Sequence, residues 1–291
     1  MHEGEVEIDS DLVRRLIAAQ LPHLRDLPIS EIASTGTVNA IFRLGGDLSV
    51  RLPRVSGSAD DLARELAWLP KLAGRLPIAI PEPMVTGRPG KGFPFPWAVY
   101  RWIEGETYLA RRVDDERQAA IDLAGFITQL RRMDGSSAPP TGRQPLRELD
   151  AVTRDAIQSL RGVVDTNAVT AAWDISLQAP PWDGNGVWLH CDLLPSNLLV
   201  AAGRLKAIID FGSTGIGDPA HDVVPAWSVF DVAGRLAFRN ALRVDDATWA
   251  RARAYALHQA LLIIPYYRET NPAFVDAAKR TTQRVIHDLH H

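Results

Sequence analysis

The sequence predicts an α+β fold in two lobes: a small β-rich N-terminal lobe with one main helix, and a larger, mainly helical C-terminal lobe. Three observations carry that expectation. The chain has 291 residues, and at roughly 150 residues per domain that length accommodates about two lobes. Short strand-like runs crowd the first hundred residues, whereas helical periodicity governs most of the remaining chain. Between the two textures lies Ile-Glu-Gly-Glu at 103–106, which reads as a connection, so the lobes are expected over 1–103 and 104–291.

The elements come in order. A helix is expected over Ser10–Gln20, with Ser10 as cap and Leu12, Leu16 and Ala19 on one face. Residues 29–33, 40–44 and 48–52 read as a three-strand antiparallel meander. The small-residue stretch Ser34-Thr35-Gly36-Thr37 separates the first pair, and the turn Gly45-Gly46-Asp47 the second. A helix is next expected over 58–73, capped by Ser58 or Asp60 and ending or kinking at Pro70. Strands at 84–87 and 97–102 complete the first lobe. In the second, Asp114 is the expected cap of a helix to about Met133, and Leu149, Val152, Ala156, Leu160 and Val163 give a helix over about 147–163. Polar Pro/Gly loops occupy 134–145 and 178–186. Short strands are expected at 187–189, 198–200 and 207–211, and helices dominate from Val223 onward. No internal repeat is present.

Composition narrows the function classes. Lys plus Arg is 32 and Asp plus Glu is 35, a formal net charge of −3, which argues against the strongly basic footprint of a general nucleic-acid binder. No run of 18 apolar residues occurs, so no membrane span is expected. Met1–Ser10 is acidic through Glu3, Glu5, Glu7 and Asp9, the opposite of a secretory leader's start. Cys191 is the single cysteine, which excludes an intrachain disulfide and suits the cytoplasm. A monomer or weak dimer acting on a small molecule is the expectation.

Chemistry concentrates in one segment. His190-Cys191-Asp192-Leu193-Leu194-Pro195-Ser196-Asn197-Leu198-Leu199-Val200 is followed by Ala207-Ile208-Ile209-Asp210-Phe211-Gly212. An Asp and an Asn stand five residues apart in a tight loop before a strand, and a second Asp stands at the end of an apolar run. Phosphoryl transfer from a nucleotide needs hard oxygen ligands for divalent metal and a carboxylate that orients the attacking hydroxyl. Asp192, Asn197 and Asp210 supply those three groups.

The pattern His-x-Asp-x-x-x-x-Asn followed by Ile-Asp-Phe-Gly resembles the protein-kinase-like phosphotransferases. The wording of residues 180–200 and 208–223 is similar to the aminoglycoside phosphotransferase family. FRLGGDLSVRLPR, RELAWLPKLAGRLP and WAVYRWIEGE resemble its small lobe and hinge, so the likeness covers roughly residues 30–230. It implies a protein-kinase-like two-lobe fold that uses Mg²⁺ and ATP or GTP to phosphorylate a free hydroxyl. By the resemblance Asp192 is the catalytic carboxylate, Asn197 and Asp210 hold the metal, and His190 braces the loop. Arg51 stands where that pattern places a strand lysine, with Glu65 as its helix partner. The loop Ser34, Thr35, Gly36 and Thr37 would cover the phosphates, and the hinge residues Tyr100, Trp102 and Ile103 would offer backbone groups to a purine. Asp218 and Asp222 of Gly-Asp-Pro-Ala-His-Asp would hold the loop, with Pro219 opening a helix. Cys191 replaces the family's usual glycine and is read as a small buried filler.

The acceptor side is quieter. Residues 104–291 carry 20 Lys/Arg against 23 Asp/Glu, and residues 1–103 balance at 12 and 12. A polycationic aminoglycoside favours an acidic cleft, for which Asp231, Asp245, Asp246, Glu269 and Asp276 are candidates. Trp227, Phe230, Trp249, Tyr255, Tyr266 and Tyr267 would suit a more apolar acceptor such as a macrolide, where they do not serve the core. The leading expectation is an antibiotic kinase of the aminoglycoside type. A metabolic kinase for an amino alcohol or sugar, and a nucleotide-binding module without transfer activity, are the alternatives. The tail His287-Asp288-Leu289-His290-His291 is read as a frayed end.

Overall fold

A computed structural model describes residues 5–32 and 38–290. The chain divides into two compact units, Met1–Glu104 with Ile209–Ser213, and Gly105–Ile208 with Thr214–His291. The short return of Ile209–Ser213 to the first unit is a feature that the linear pattern does not contain.

In the first unit, α1 (Ser10–Gln20) precedes β1 (Ile29–Glu31), β2 (Asn39–Leu44), β3 (Leu48–Pro53), α2 (Ser56–Leu72), β4 (Pro83–Gly87) and β5 (Trp97–Arg101). The strands pair antiparallel in the order β1-β2-β3-β5-β4. Strand alternation turns Ala40, Phe42 and Leu44 of β2 and Val50 and Leu52 of β3 inward, where they pack with Leu12, Val13, Leu16 and Ile17 of α1. The same period of two leaves Arg51 off that core cluster, in register with Ile41 and Ala98.

Two details differ from expectation. Asp9, not Ser10, caps α1, accepting from Leu12 N at 2.7 Å. α2 begins at Ser56 and runs two residues beyond Pro70. A proline so near the C-terminus removes one backbone bond, and Ala73 N closes the helix on Leu69 O at 2.9 Å. Ser58 lies inside the helix, its hydroxyl within 2.9 Å of both Val38 O and Val55 O, either of which can accept its one proton.

The second unit holds β6 (Glu106–Thr107), α3 (Glu116–Arg131), α4 (Asp150–Ser159), α5 (Thr166–Ser176), β7 (Val187–Leu189), β8 (Leu198–Ala201), β9 (Arg204–Ile208), β10 (Gly215–Gly217), α6 (Pro225–Ser228), α7 (Val232–Leu242), α8 (Asp246–Tyr266) and α9 (Pro272–His290). One small sheet has the order β6-β8-β9 and the other pairs β10 with β7. α3 packs against α7, and α8 against α9. Among the described residues no helix is long and apolar enough to cross a membrane.

Here too the boundaries move for identifiable reasons. Asp115 caps α3, accepting from Gln118 N at 3.0 Å, while Asp114 N is bonded to Gly203 O. The helix expected over 147–163 splits into a 3₁₀ turn, Leu146–Leu149, and α4. The chain then reverses at Gly162, whose φ is +78°. Asp165 immediately caps α5, a helix that the sequence pattern did not indicate. The strand expected at 207–211 lies instead at Arg204–Ile208, because the hairpin with β8 runs out of partners at Ile208. Asp210 therefore stands outside any strand, at φ +68°.

Candidate active site

The first unit contributes one charged cluster. β3 presents Arg51 and α2 presents Glu65, joined by an ion pair between Nη1 and Oε2 at 2.8 Å. Arg51 Nη2 also reaches Asp210 Oδ1 at 3.2 Å. Glu65 Oε2 additionally accepts Phe211 N at 3.0 Å, tying the Asp-Phe-Gly backbone to the helix. Burial separates the roles: the Glu65 side chain is 1% exposed, whereas that of Asp210 is 43% exposed and open to a ligand. Burial works against the Arg51 cation, but Glu65 and Asp210 more than offset it and hold the guanidinium charged. For Glu65, burial pushes the carboxyl up and Arg51 opposes the shift.

The hinge differs from expectation. Tyr100 lies within β5 and pairs in register with Ser49 and Pro83, so its backbone belongs to the sheet. Its phenol is buried near Glu65, and burial followed by that negative charge keeps it protonated. Trp102 N is bonded to Asp47 O at 2.8 Å, and the Trp102 ring lies under Arg43 at 4.1 Å. Of the three hinge residues, Ile103 is the one whose N–H has no partner among the described residues. Ser34, Thr35, Gly36 and Thr37 lie outside the described residues.

The second unit contributes the turn between β7 and β8. Asp192 N donates to His190 Nδ1 at 3.2 Å, so His190 does brace the turn. Leu194 N bonds Asp192 O, and Asn197 N bonds Leu194 O, both at 2.9 Å. Asn197 Nδ2 donates to Asp192 O at 2.9 Å and to Asp192 Oδ2 at 2.8 Å. Asn197 Oδ1, an uncharged hard oxygen, accepts the Ser196 hydroxyl at 3.4 Å. It and the open Asp210 carboxylate of the first unit are both donors of the kind that Mg²⁺ takes. Among the described residues no group of three His, Cys, Asp or Glu is placed to hold a metal.

Cys191 takes φ +72° and is 1% exposed. Its N–H donates to Asp222 Oδ1 at 2.7 Å, and His190 N donates to Asp222 Oδ2 at 3.0 Å. Asp222 therefore holds the turn from beneath. Burial pushes the Cys191 thiol up to about 12, so it is an inert filler. Asp218 caps the 3₁₀ turn Pro219–Val223 through Ala220 N at 3.0 Å and carries a two-pronged bond from Arg251, at 2.8 and 3.1 Å.

Sequence reasoning did not single out Arg143. Its Nη2 donates to Cys191 O at 3.1 Å and stands 3.7 Å from Asp192 Oδ1. An arginine in a polar Pro/Gly loop carries no local signal; the hint was Gly-Ile-Gly at 215–217, glycines that let the loop approach. The acidic acceptor candidates are largely occupied. Asp231 and Asp245 cap α7 and α8, and Asp246 pairs with Arg239. Trp227, Phe230 and Tyr255 are core, whereas Tyr266 is 51% exposed.

Comparison with known proteins places the chain in a family. Over 210 residues the chain is 26% identical to an aminoglycoside 3'-phosphotransferase of Escherichia coli, covering 66% of this chain and 73% of that protein. A GDP complex of wild-type aminoglycoside 2'-phosphotransferase-IIIa superposes with a TM-score of 0.75 at 18% identity, covering 97% of this chain and all of the other. A macrolide 2'-phosphotransferase from Brachybacterium faecium superposes at 0.61 and 20% identity, with 94% and 98% covered. The model of the phosphotransferase enzyme family matches residues 29–255, and the chain belongs to that family.

Proposed function

We propose that this protein transfers the γ-phosphoryl group of ATP or GTP to a hydroxyl of a small-molecule antibiotic of the aminoglycoside type. The observation that carries the reading is the Asp192–Asn197 turn. One carboxylate oxygen is fixed by an amide, and the other faces a guanidinium at 3.7 Å. Asp192 Oδ1 takes the acceptor's hydroxyl proton as the oxygen forms its bond to the γ-phosphorus. The bond from that phosphorus to the bridging oxygen breaks, and the nucleoside diphosphate leaves. Asn197 Oδ1 and Asp210 would hold Mg²⁺, which neutralises charge on the phosphate oxygens when bound. Arg51, steadied by Glu65, binds phosphate oxygens. Ile103 N–H is the hinge donor available to a purine, and the 34–37 loop would cover the phosphates. A cytoplasmic location, where nucleoside triphosphate is at hand, suits this chemistry.

A second reading, a macrolide as the acceptor, is supported by the likeness of the fold to a macrolide 2'-phosphotransferase. Phosphate transfer from γ-labelled ATP and GTP to aminoglycosides, macrolides and amino alcohols, read by product mass, separates these readings. Transfer to none of them would refute the antibiotic assignment. Asp210→Asn should raise the Mg²⁺ requirement sharply, and an unchanged Mg²⁺ titration would remove Asp210 from the metal set.

A further inference from the structure

We propose that Arg143 is a positioning residue for phosphoryl transfer, acting through the Cys191 carbonyl and the Asp192 carboxylate. The inference rests on the reading of Asp192 as the group that orients the acceptor hydroxyl.

The loop carrying Arg143 is braced. Thr141 N bonds Ile216 O at 3.0 Å, and Ile216 N bonds Pro139 O at 2.8 Å, so the loop runs alongside β10. A Cβ on Gly215 would lie 2.5 Å from Pro139 O, which only glycine avoids. Arg143 N bonds the Thr141 hydroxyl oxygen at 3.4 Å. The guanidinium thus comes from a fixed support.

The turn that it touches needs such support. Cys191 occupies a left-handed conformation that non-glycine residues populate sparsely and that persists only where the surroundings over-determine it. Asp222 holds the peptide on its N-terminal side, and Arg143 holds its carbonyl. Without the second clamp the 191–192 peptide can rotate, which draws Asp192 N away from His190 Nδ1. The Asp192 carboxylate is likewise held from two sides. Asn197 fixes Oδ2 at 2.8 Å, and the guanidinium faces Oδ1 at 3.7 Å, beyond hydrogen-bond length. The cation therefore orients Oδ1 without donating to it, and leaves it able to take a hydroxyl proton. A fixed cation there also offsets the negative charge that gathers as a phosphoryl group approaches a carboxylate. Arginine suits the task because one nitrogen, Nη2, bonds the carbonyl while the delocalised charge stands beside the carboxylate.

Steady-state kinetics of the parent, Arg143→Lys and Arg143→Ala test this, with thermal midpoints measured alongside. Arg143→Ala should lose kcat by roughly 10²-fold, the scale of a misplaced catalytic group, with the nucleotide KM unchanged. Arg143→Lys should recover part of the loss, and added guanidinium should restore Arg143→Ala. Parent-like kcat in Arg143→Ala overturns the proposal. So does an equal loss in both variants that guanidinium does not relieve. If the parent phosphorylates no acceptor, the functional reading fails by itself, and amide exchange decides the positioning role. Faster exchange at Asp192 and Leu194 in Arg143→Ala supports it, and unchanged exchange refutes it.

Discussion

Glu65 and Asp222 are both buried carboxylates, one in each unit, and each pins the backbone of a functional segment. Glu65 accepts Phe211 N and is neutralised directly by Arg51 at 2.8 Å. Asp222 gives both oxygens to backbone N–H groups, of His190 and Cys191, and feels Arg131 and Arg143 through their fields. The difference teaches where each charge is used. The Glu65 cluster contains a cation and an open carboxylate, Arg51 and Asp210, that can exchange partners with a charged ligand. The Asp222 cluster is closed on backbone, and its service is to shape a turn.

The largest effect falls where that turn delivers its product. Asp192→Ala should lower transfer by about 10²–10⁴-fold, the usual loss on removing a general base, while nucleotide binding by the first unit persists. Calorimetric titration with ATP and GTP alongside turnover checks both halves, and parent-like turnover removes Asp192 from the mechanism.

Next comes the ion-paired carboxylate. Glu65→Ala leaves Arg51 paired with Asp210 alone, at 3.2 Å, so the loss should fall below the roughly 3–5 kcal/mol of a fully uncompensated buried charge, with kcat falling more than nucleotide affinity. Arg51→Lys should retain substantial activity because the charge remains, whereas Arg51→Ala should be far worse. Equal behaviour of all three variants would leave the pair without a role at the phosphates.

The backbone-pinning carboxylate should give a smaller, more structural signature. In Asp222→Asn the amide oxygen still accepts one N–H, but Nδ2 confronts the other donor. The unsatisfied group should cost about 1–3 kcal/mol, read as a lower thermal midpoint with faster exchange at His190 and Cys191. Exchange that matches the parent's would show that the turn holds itself.

A further effect concerns pH. Burial pushes His221 down to about 3 and His258 down to about 4, from an ordinary value of 6.5. Below pH 6.5 the unfolded chain binds protons that the folded chain refuses. Stability is therefore full above 6.5 and declines as pH falls toward 4, by about 1.4 kcal/mol per pH unit for each histidine. His221 is stacked on Tyr255 at 3.9 Å, so His221→Phe should shrink the difference in thermal midpoint between pH 7 and pH 5. A difference as large as the parent's would exclude His221 as a contributor.

Much of the molecule was legible in the chain. The strand meander and α1 come from periodicity, because alternation and helical spacing are local consequences of which faces are buried. Asp192, Asn197 and Asp210 stand out in the sequence because an Asp and an Asn in a tight loop before a strand, with a second Asp after an apolar run, are the oxygen groups that metal-dependent phosphoryl transfer would need. The Arg51–Glu65 pair is reached through the family resemblance, which sets a strand cation opposite a helix glutamate, and the structure joins the two at 2.8 Å. Other features emerged only on folding. That Asp210 leaves its strand, that Tyr100 turns its phenol toward Glu65, and that Arg143 faces Asp192 each depend on contacts between segments far apart in sequence. Hairpin pairing ends where partners end, and a loop arginine acquires a role only when glycines elsewhere let it approach. Local patterns encode what a segment buries, whereas the partner it meets is a property of the whole chain.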